Sequence, residues 1–189
     1  MSKSRSSMAA GLDRLSLLAM LAVLAAILTA AMVMQYALDE IPCPLCLLQR
    51  VAMFGCCFGL IRQLRTANSE RGSGIALISA VLLLVISVRQ TLLDIYPRAG
   101  HDYVGSAVFG LHLPVWSVVI AVALLLGLAG RLALFGGDRA ATDKAQLLPR
   151  VLVQSLVFYV VAICAINFLS VIAQCGLDQC HTSGYRLLQ

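Results

Sequence analysis

Apolar residues fall into five long runs separated by short polar stretches, at 15–38, 44–64, 75–95, 115–135 and 151–173. A hydrocarbon core of ~30 Å takes ~20 residues of helix to cross, and each run meets that length. The first run carries no charge at all. It is too long for the apolar region of a signal peptide, and no small-x-small cleavage pattern follows it, so it counts as a span. None of the runs alternates as a barrel strand would, and backbone groups in lipid must pair within their own segment. The pattern predicts an all-α membrane protein whose 189 residues form a single integral membrane domain.

Composition agrees. Hydrophobic residues make up 60% of the chain and charged residues only 12%, with a mean hydropathy of +0.91. A water-soluble domain of this length has no interior large enough for so much apolar surface. The pI of about 9.0 would fit nucleic-acid binding, but the basic residues form no patch with interleaved aromatics, so no nucleic-acid partner is expected. They mark topology instead. Lys3, Arg5 and Arg14 precede the first span, and Arg62, Arg65 and Arg71 surround the second connection. Arg131, Arg139, Lys144 and Arg150 surround the fourth, so ten of the fourteen basic residues share one side. That side is expected to be the cytoplasm, with the N-terminus in it and the C-terminus opposite. Gly72–Gly74 and Gly136–Gly137 are expected to mark cytoplasmic turns, and Pro114 and Pro149 to sit near helix starts.

This topology sorts the seven cysteines. Cys43, Cys46, Cys175 and Cys180 fall on the non-cytoplasmic side, whereas Cys56, Cys57 and Cys164 lie inside spans and suit small buried hydrophobes. Two thiol pairs facing an oxidising compartment favour redox chemistry. Zinc would want four ligands, and His101, His112 and His181 show no metal-type spacing, so no metal site is expected. A static bridge from Cys43 to Cys46 would close too small a loop to stabilise much.

The stretch PCPLCLLQR, residues 42–50, concentrates the candidate chemistry. Pro44 suits the first helical position, making Cys43 the N-cap and placing Cys46 in the first turn. There, unpaired N–H groups and the positive helix end favour thiolate. Cys46 and Arg50 are four residues apart and share a helix face. Eleven residues separate Arg50 from Arg62, roughly 16 Å of helix, so one arginine must lie inside the boundary. Arg62 and Arg65 can snorkel to the cytoplasm. Arg50 either snorkels outward or meets a partner such as a thiolate or the oxygen of a reduced quinone.

With PCPLCLLQRVAMFG (42–55), RQTLLDIYP (89–97) and LHLPVW (111–116) in this order, the chain resembles the DsbB family. These are bacterial inner-membrane enzymes that make disulfides by reducing quinone. The resemblance covers roughly residues 15–135. It implies a four-helix transmembrane bundle with ubiquinone or menaquinone bound near the periplasmic side, and here a fifth, C-terminal transmembrane helix is added. It also implies a periplasmic DsbA-like thiol oxidoreductase as partner. Carried over by position, Cys46 would contact quinone, Cys43 would exchange with a second cysteine pair, and Arg50 would help hold quinone. Gln49 and Gln90 join Arg50 as quinone-binding candidates, Gln90 standing where familiar members carry histidine.

The chain departs from the family in two respects. Members usually keep their second cysteine pair in a long loop between the third and fourth spans, but the segment 96–113 is short and has no cysteine. A fifth span and the tail QCGLDQCHTSGYRLLQ (174–189) instead place Cys175 and Cys180 on the required side. Either the relay has moved to the tail or the tail pair is a structural clip.

The leading expectation is a quinone-coupled protein-thiol oxidase. One alternative is a transmembrane carrier of reducing equivalents using Cys56 or Cys57 with Cys164. Another is a non-enzymatic scaffold or metal-binding protein with structural disulfides.

Overall fold

The computed structural model describes residues 2–38, 42–66, 70–95, 107–135 and 150–175. Their elements are α1 (Ser2–Ala37), α2 (Pro44–Arg65), α3 (Arg71–Ile95), β1 (Ala107–Val108), β2 (Leu111–His112), α4 (Leu113–Phe135) and α5 (Arg150–Cys175). Among the described residues, five helices are long and apolar enough to cross a membrane, so this is an all-α, multi-pass membrane protein. Its outer faces carry exposed Ile78, Leu126, Leu134 and Phe158, as lipid contact requires and water would oppose. The sequence pattern did not foresee the antiparallel hairpin β1–β2 ahead of α4. Its two turn residues, Phe109 and Gly110, both have positive φ, the conformation that two-residue hairpins favour.

Helices α1 to α4 surround one core. Leu21, Leu24 and Leu28 of α1 meet Cys56, Cys57 and Leu60 of α2, Ala76, Ala80 and Leu83 of α3, and Ala121, Leu124 and Leu128 of α4. The fifth helix packs on α1 and α2 and adds Val157, Val160 and Ile163 to the same cluster.

Small residues set how closely α2 and α3 approach. Gly55 and Gly59 form a G-x-x-x-G step, the spacing that lets helix backbones meet in lipid. A Cβ on Gly59 would stand 2.5 Å from the backbone N of Ala76 and 2.7 Å from the carbonyl of Gly72. Both obstacles are main chain and cannot swing aside. Gly59→Ala should therefore force the helices apart and destabilise the bundle by about 1–3 kcal/mol. A thermal-unfolding scan in detergent checks this, and an unchanged midpoint would contradict the close approach.

That contact also corrects one expectation. Gly72–Gly74 lie inside α3 and form no turn, because α3 begins at Arg71. Gly72 lets the first turn of α3 rest on α2. Gln63 Oε1 then accepts from both the backbone N and the Oγ of Ser73, each at 3.1 Å, satisfying an N–H that has no partner within its own helix.

Arg131, in the last turns of α4 beside the fourth connection, is buried at 3% exposure. Its guanidinium pairs with Asp13 of α1, Nε lying 2.6 Å from Oδ1 and Nη2 3.1 Å from Oδ2. It also donates to Ser73 Oγ at 2.7 Å. Through Gln63 this polar cluster ties α1, α2, α3 and α4 at the end of the bundle away from Cys43. Buried charge persists there because it is paired on both carboxylate oxygens.

Candidate functional site

The N-terminus of α2 has the predicted local form. Cys43 is the N-cap with φ −70° and ψ 159°, and Pro44 opens the helix. The backbone N of Cys46 donates to Cys43 Sγ at 3.2 Å, and the N of Leu47 donates to the Cys43 carbonyl at 3.1 Å. The cap thus brings one thiol of the pair over the first turn, beside the other. Both cysteines are free and half-buried. Contact with the Cys46 thiol, followed by burial, pushes the Cys43 thiol above its ordinary range.

Two polar chains leave α2 from this level, because Gln49 and Arg50 are consecutive and point about 100° apart around the helix. On one side Gln49 meets α3 and α4. Ser117 Oγ donates to Gln49 Oε1 at 3.2 Å, and Gln49 Nε2 donates to Gln90 Oε1 at 2.9 Å. Gln90 Nε2 then donates to Cys43 Sγ and Cys46 Sγ, both at 3.4 Å. Each amide accepts from the preceding group and donates to the next, so the chain ends with N–H groups aimed at the sulfurs. Gln90 is 5% exposed and Gln49 6%, which keeps bulk water from competing for these bonds.

On the other side Arg50 turns to α1 and α5. It is buried at 8% exposure and does not snorkel. Its Nη1 donates to Gln35 Oε1 at 2.6 Å and to Asn167 Oδ1 at 3.2 Å. Nη2 donates to the Ala31 carbonyl at 3.1 Å, and Met32 Sδ lies 3.7 Å from Nη1. Sequence reasoning looked for a thiolate or a reduced quinone as the partner and missed these groups. Also missed were Ser117, Ser170 and Gln174. The available signal was a polar stripe on an otherwise apolar helix: Asn167, Ser170 and Gln174 recur at helical spacing and face inward.

The remaining cysteines separate. Cys56 is fully buried, and its Sγ faces the Ala76 carbonyl at 3.6 Å. Cys57 lies against the thiol of Cys164 from α5, so α2 and α5 bring those two together inside the bundle. Cys175 is the last residue of α5, and Cys180 lies outside the described residues. Among the described residues, no three His, Cys, Asp or Glu side chains are grouped to hold a metal.

Whether quinone fits can be judged from the donors present. A quinone offers carbonyl oxygens that accept hydrogen bonds from an apolar ring. Arg50 and the Gln49–Gln90 amides supply buried donors near the sulfurs. One turn before Gln90 on α3, Ser87 is fully buried and its Oγ has no hydrogen-bond partner. A buried hydroxyl left without a partner is costly, and a carbonyl oxygen would relieve it. The residues fit the group.

Comparison with known proteins finds similarity to disulfide bond formation proteins. The family described as "Disulfide bond formation protein DsbB" matches residues 13–102, a stretch holding the thiol pair, Gln49, Arg50 and Gln90. "Disulfide bond formation protein B" of Verminephrobacter eiseniae (strain EF01-2) is 30% identical over 131 residues, covering 65% of this chain. The chain spans 66% of that relative's length. No solved structure matches the chain significantly. The thiol pair caps a membrane helix, an arginine is buried one turn below it, and over residues 13–102 the chain is similar to the DsbB family.

Proposed function

We propose that this protein is a quinone-coupled protein-thiol oxidase of the bacterial inner membrane that reoxidises a periplasmic DsbA-like partner. The observation that carries the reading is the convergence of Gln90 Nε2 on both sulfurs of the pair, with the buried guanidinium of Arg50 on the same helix. Thiol–disulfide exchange needs an attacking thiolate and a mixed disulfide. A thiolate of the reduced partner attacks one sulfur of a disulfide in this protein, and the displaced sulfur leaves as thiolate. The second partner thiol then resolves the mixed disulfide, so the partner leaves oxidised and the Cys43–Cys46 pair is left reduced.

Cys46, in the first turn of α2, carries the thiolate, with the Gln90 amide and the helix end stabilising it. Cys43 closes the disulfide when the pair is reoxidised. Quinone, when bound by Arg50, Gln49, Gln90 and Ser87, supplies the acceptor for two electrons and two protons. Arg50 orients the acceptor and stabilises negative charge developing on it. Steady-state assays with a reduced thioredoxin-fold donor test this reading. Quinone consumption that rises with donor concentration is expected, and donor-independent consumption would overturn it.

The tail takes the role of the family's loop pair in this proposal. Cys175 ends α5, on the side proposed to be periplasmic, and Cys180 follows in the tail. The pair receives electrons from the partner and passes them to Cys43. A Cys175/Cys180→Ser double variant should oxidise its donor several-fold more slowly than wild type. Equal rates would make the tail pair a clip and Cys43 the direct entry point.

The contact between Cys57 and Cys164 is the one observation that favours a second reading, a carrier moving reducing equivalents through the bundle. Under the oxidase reading, Cys57→Ala and Cys164→Ala keep quinone reduction. Its loss in both would favour the carrier.

A further inference from the structure

The family match ends at residue 102, so it assigns no role to α5. We propose that α5 is a working part of the acceptor site and that Asn167 is a positioning residue that aims the Arg50 guanidinium. This inference rests on the oxidase reading above and names a part of its site.

Three inward-facing polar side chains of α5 each hold a different piece of the site. Asn167 is fully buried. Its Nδ2 donates to the Ile163 carbonyl at 2.8 Å, which fixes the amide so that Oδ1 accepts from Arg50 Nη1 at 3.2 Å. Ser170 Oγ accepts from Gln35 Nε2 at 2.7 Å and from Tyr36 Oη at 2.8 Å. Gln35, held in this way, turns its own Oε1 to the same Nη1 at 2.6 Å. Gln174, 1% exposed, donates to the Pro42 carbonyl at 2.9 Å, immediately before Cys43.

This arrangement exceeds what packing α5 against the bundle would require. Apolar contacts through Val157, Val160 and Ile163 already seat the helix. A guanidinium on a flexible stem has many rotamers, and a catalytic group must be held to a narrow geometry by locked neighbours. Both amide oxygens converge on one nitrogen, Nη1, which fixes the plane of the group and the direction of its other edge. The orienting groups come from α1 and α5, so the arginine is aimed only when the fifth helix is in place.

The test combines binding with exchange. Quinone affinity is read from quenching of the single tryptophan, Trp116, which neighbours Ser117, using a soluble short-chain ubiquinone as probe. Asn167→Leu keeps the bulk of the side chain and withdraws the acceptor. It should weaken quinone binding about fivefold or more and raise KM by a similar factor, as expected for losing one hydrogen bond to a charged group. Disulfide exchange between Cys43–Cys46 and a small thiol in the absence of quinone should keep its rate. Asn167→Asp, which restores an oxygen toward Arg50, should recover most of the affinity, and Phe168→Ala, on the lipid face of the same helix, should match wild type.

Should Asn167→Leu fail to accumulate, Asn167→Ser carries the same expectation, because its hydroxyl cannot reach as far. Wild-type quinone affinity in an inserted Asn167 variant overturns the positioning role. Arg50→Ala measured in parallel separates the two levels. If that variant alone loses affinity, the role of Asn167 fails and the oxidase reading stands. If neither loses affinity, Arg50 is only a structural link and the acceptor site proposed around it fails.

Discussion

Cys46→Ser abolishes quinone reduction, with turnover expected to fall roughly a thousandfold or more because a serine hydroxyl is neither ionised nor able to form the disulfide. The local structure makes this a clean test. Serine is close in size to cysteine, and position 46 is already inside the first turn of α2. The N-cap bond runs from the backbone N of residue 46 to Cys43 Sγ and survives the change. Insertion and thermal stability should stay near wild type, so the loss belongs to chemistry. Cys43 keeps a thiol whose thiolate can attack a donor sulfur already in a disulfide, displacing the other sulfur as thiolate, but residue 46 then has no thiol to resolve the mixed disulfide. The adduct should accumulate and be visible on a non-reducing gel when the donor carries a single cysteine activated as a disulfide with a small thiol, which leaves as thiolate. Rapid quinone turnover in this variant would remove the pair from the electron path.

Arg50→Ala gives the second large effect. A buried arginine inside an apolar boundary is retained only with partners, and here Gln35, Asn167 and the Ala31 carbonyl receive its N–H groups. Removing it withdraws a charge-assisted contact of ~1.5–3 kcal/mol from the acceptor, which corresponds to a rise of about tenfold or more in the quinone requirement. Arg50→Lys keeps the charge but not the planar fork that two amide oxygens hold, so an intermediate value is expected. Exchange with a reduced donor in the absence of quinone should be unaffected in both. An unchanged quinone KM in Arg50→Ala would leave Arg50 as a structural link between α1, α2 and α5.

What the sequence revealed follows from which interactions are local. Run length and apolarity identified the spans, and the order Cys43–Pro44 identified the start of α2, because a capping residue and a proline act within one turn. The seating of Gly72 inside α3 was hidden, since it depends on Gly59 across the helix pair. A glycine-rich stretch between apolar runs reads as a turn until the facing backbone is known. Arg131 was hidden for the same reason, its partner Asp13 being in α1 and 118 residues away. The partners of Arg50 come from two other helices, α1 and α5, and no spacing rule connects residues 35, 50 and 167. Yet Asn167, Ser170 and Gln174 share one face of an otherwise apolar span, a signal open to the sequence. The tail carrying Cys180 lies outside the described residues.

Oxygen-free stoichiometry tests the proposed electron path most directly. Purified protein is mixed with a reduced thioredoxin-fold donor and a known amount of ubiquinone, and donor disulfide and quinol are quantified together. One quinol should appear for each donor disulfide, in wild type and not in Cys46→Ser. Donor disulfide formed while the quinone stays oxidised would contradict quinone as the acceptor for Cys43 and Cys46.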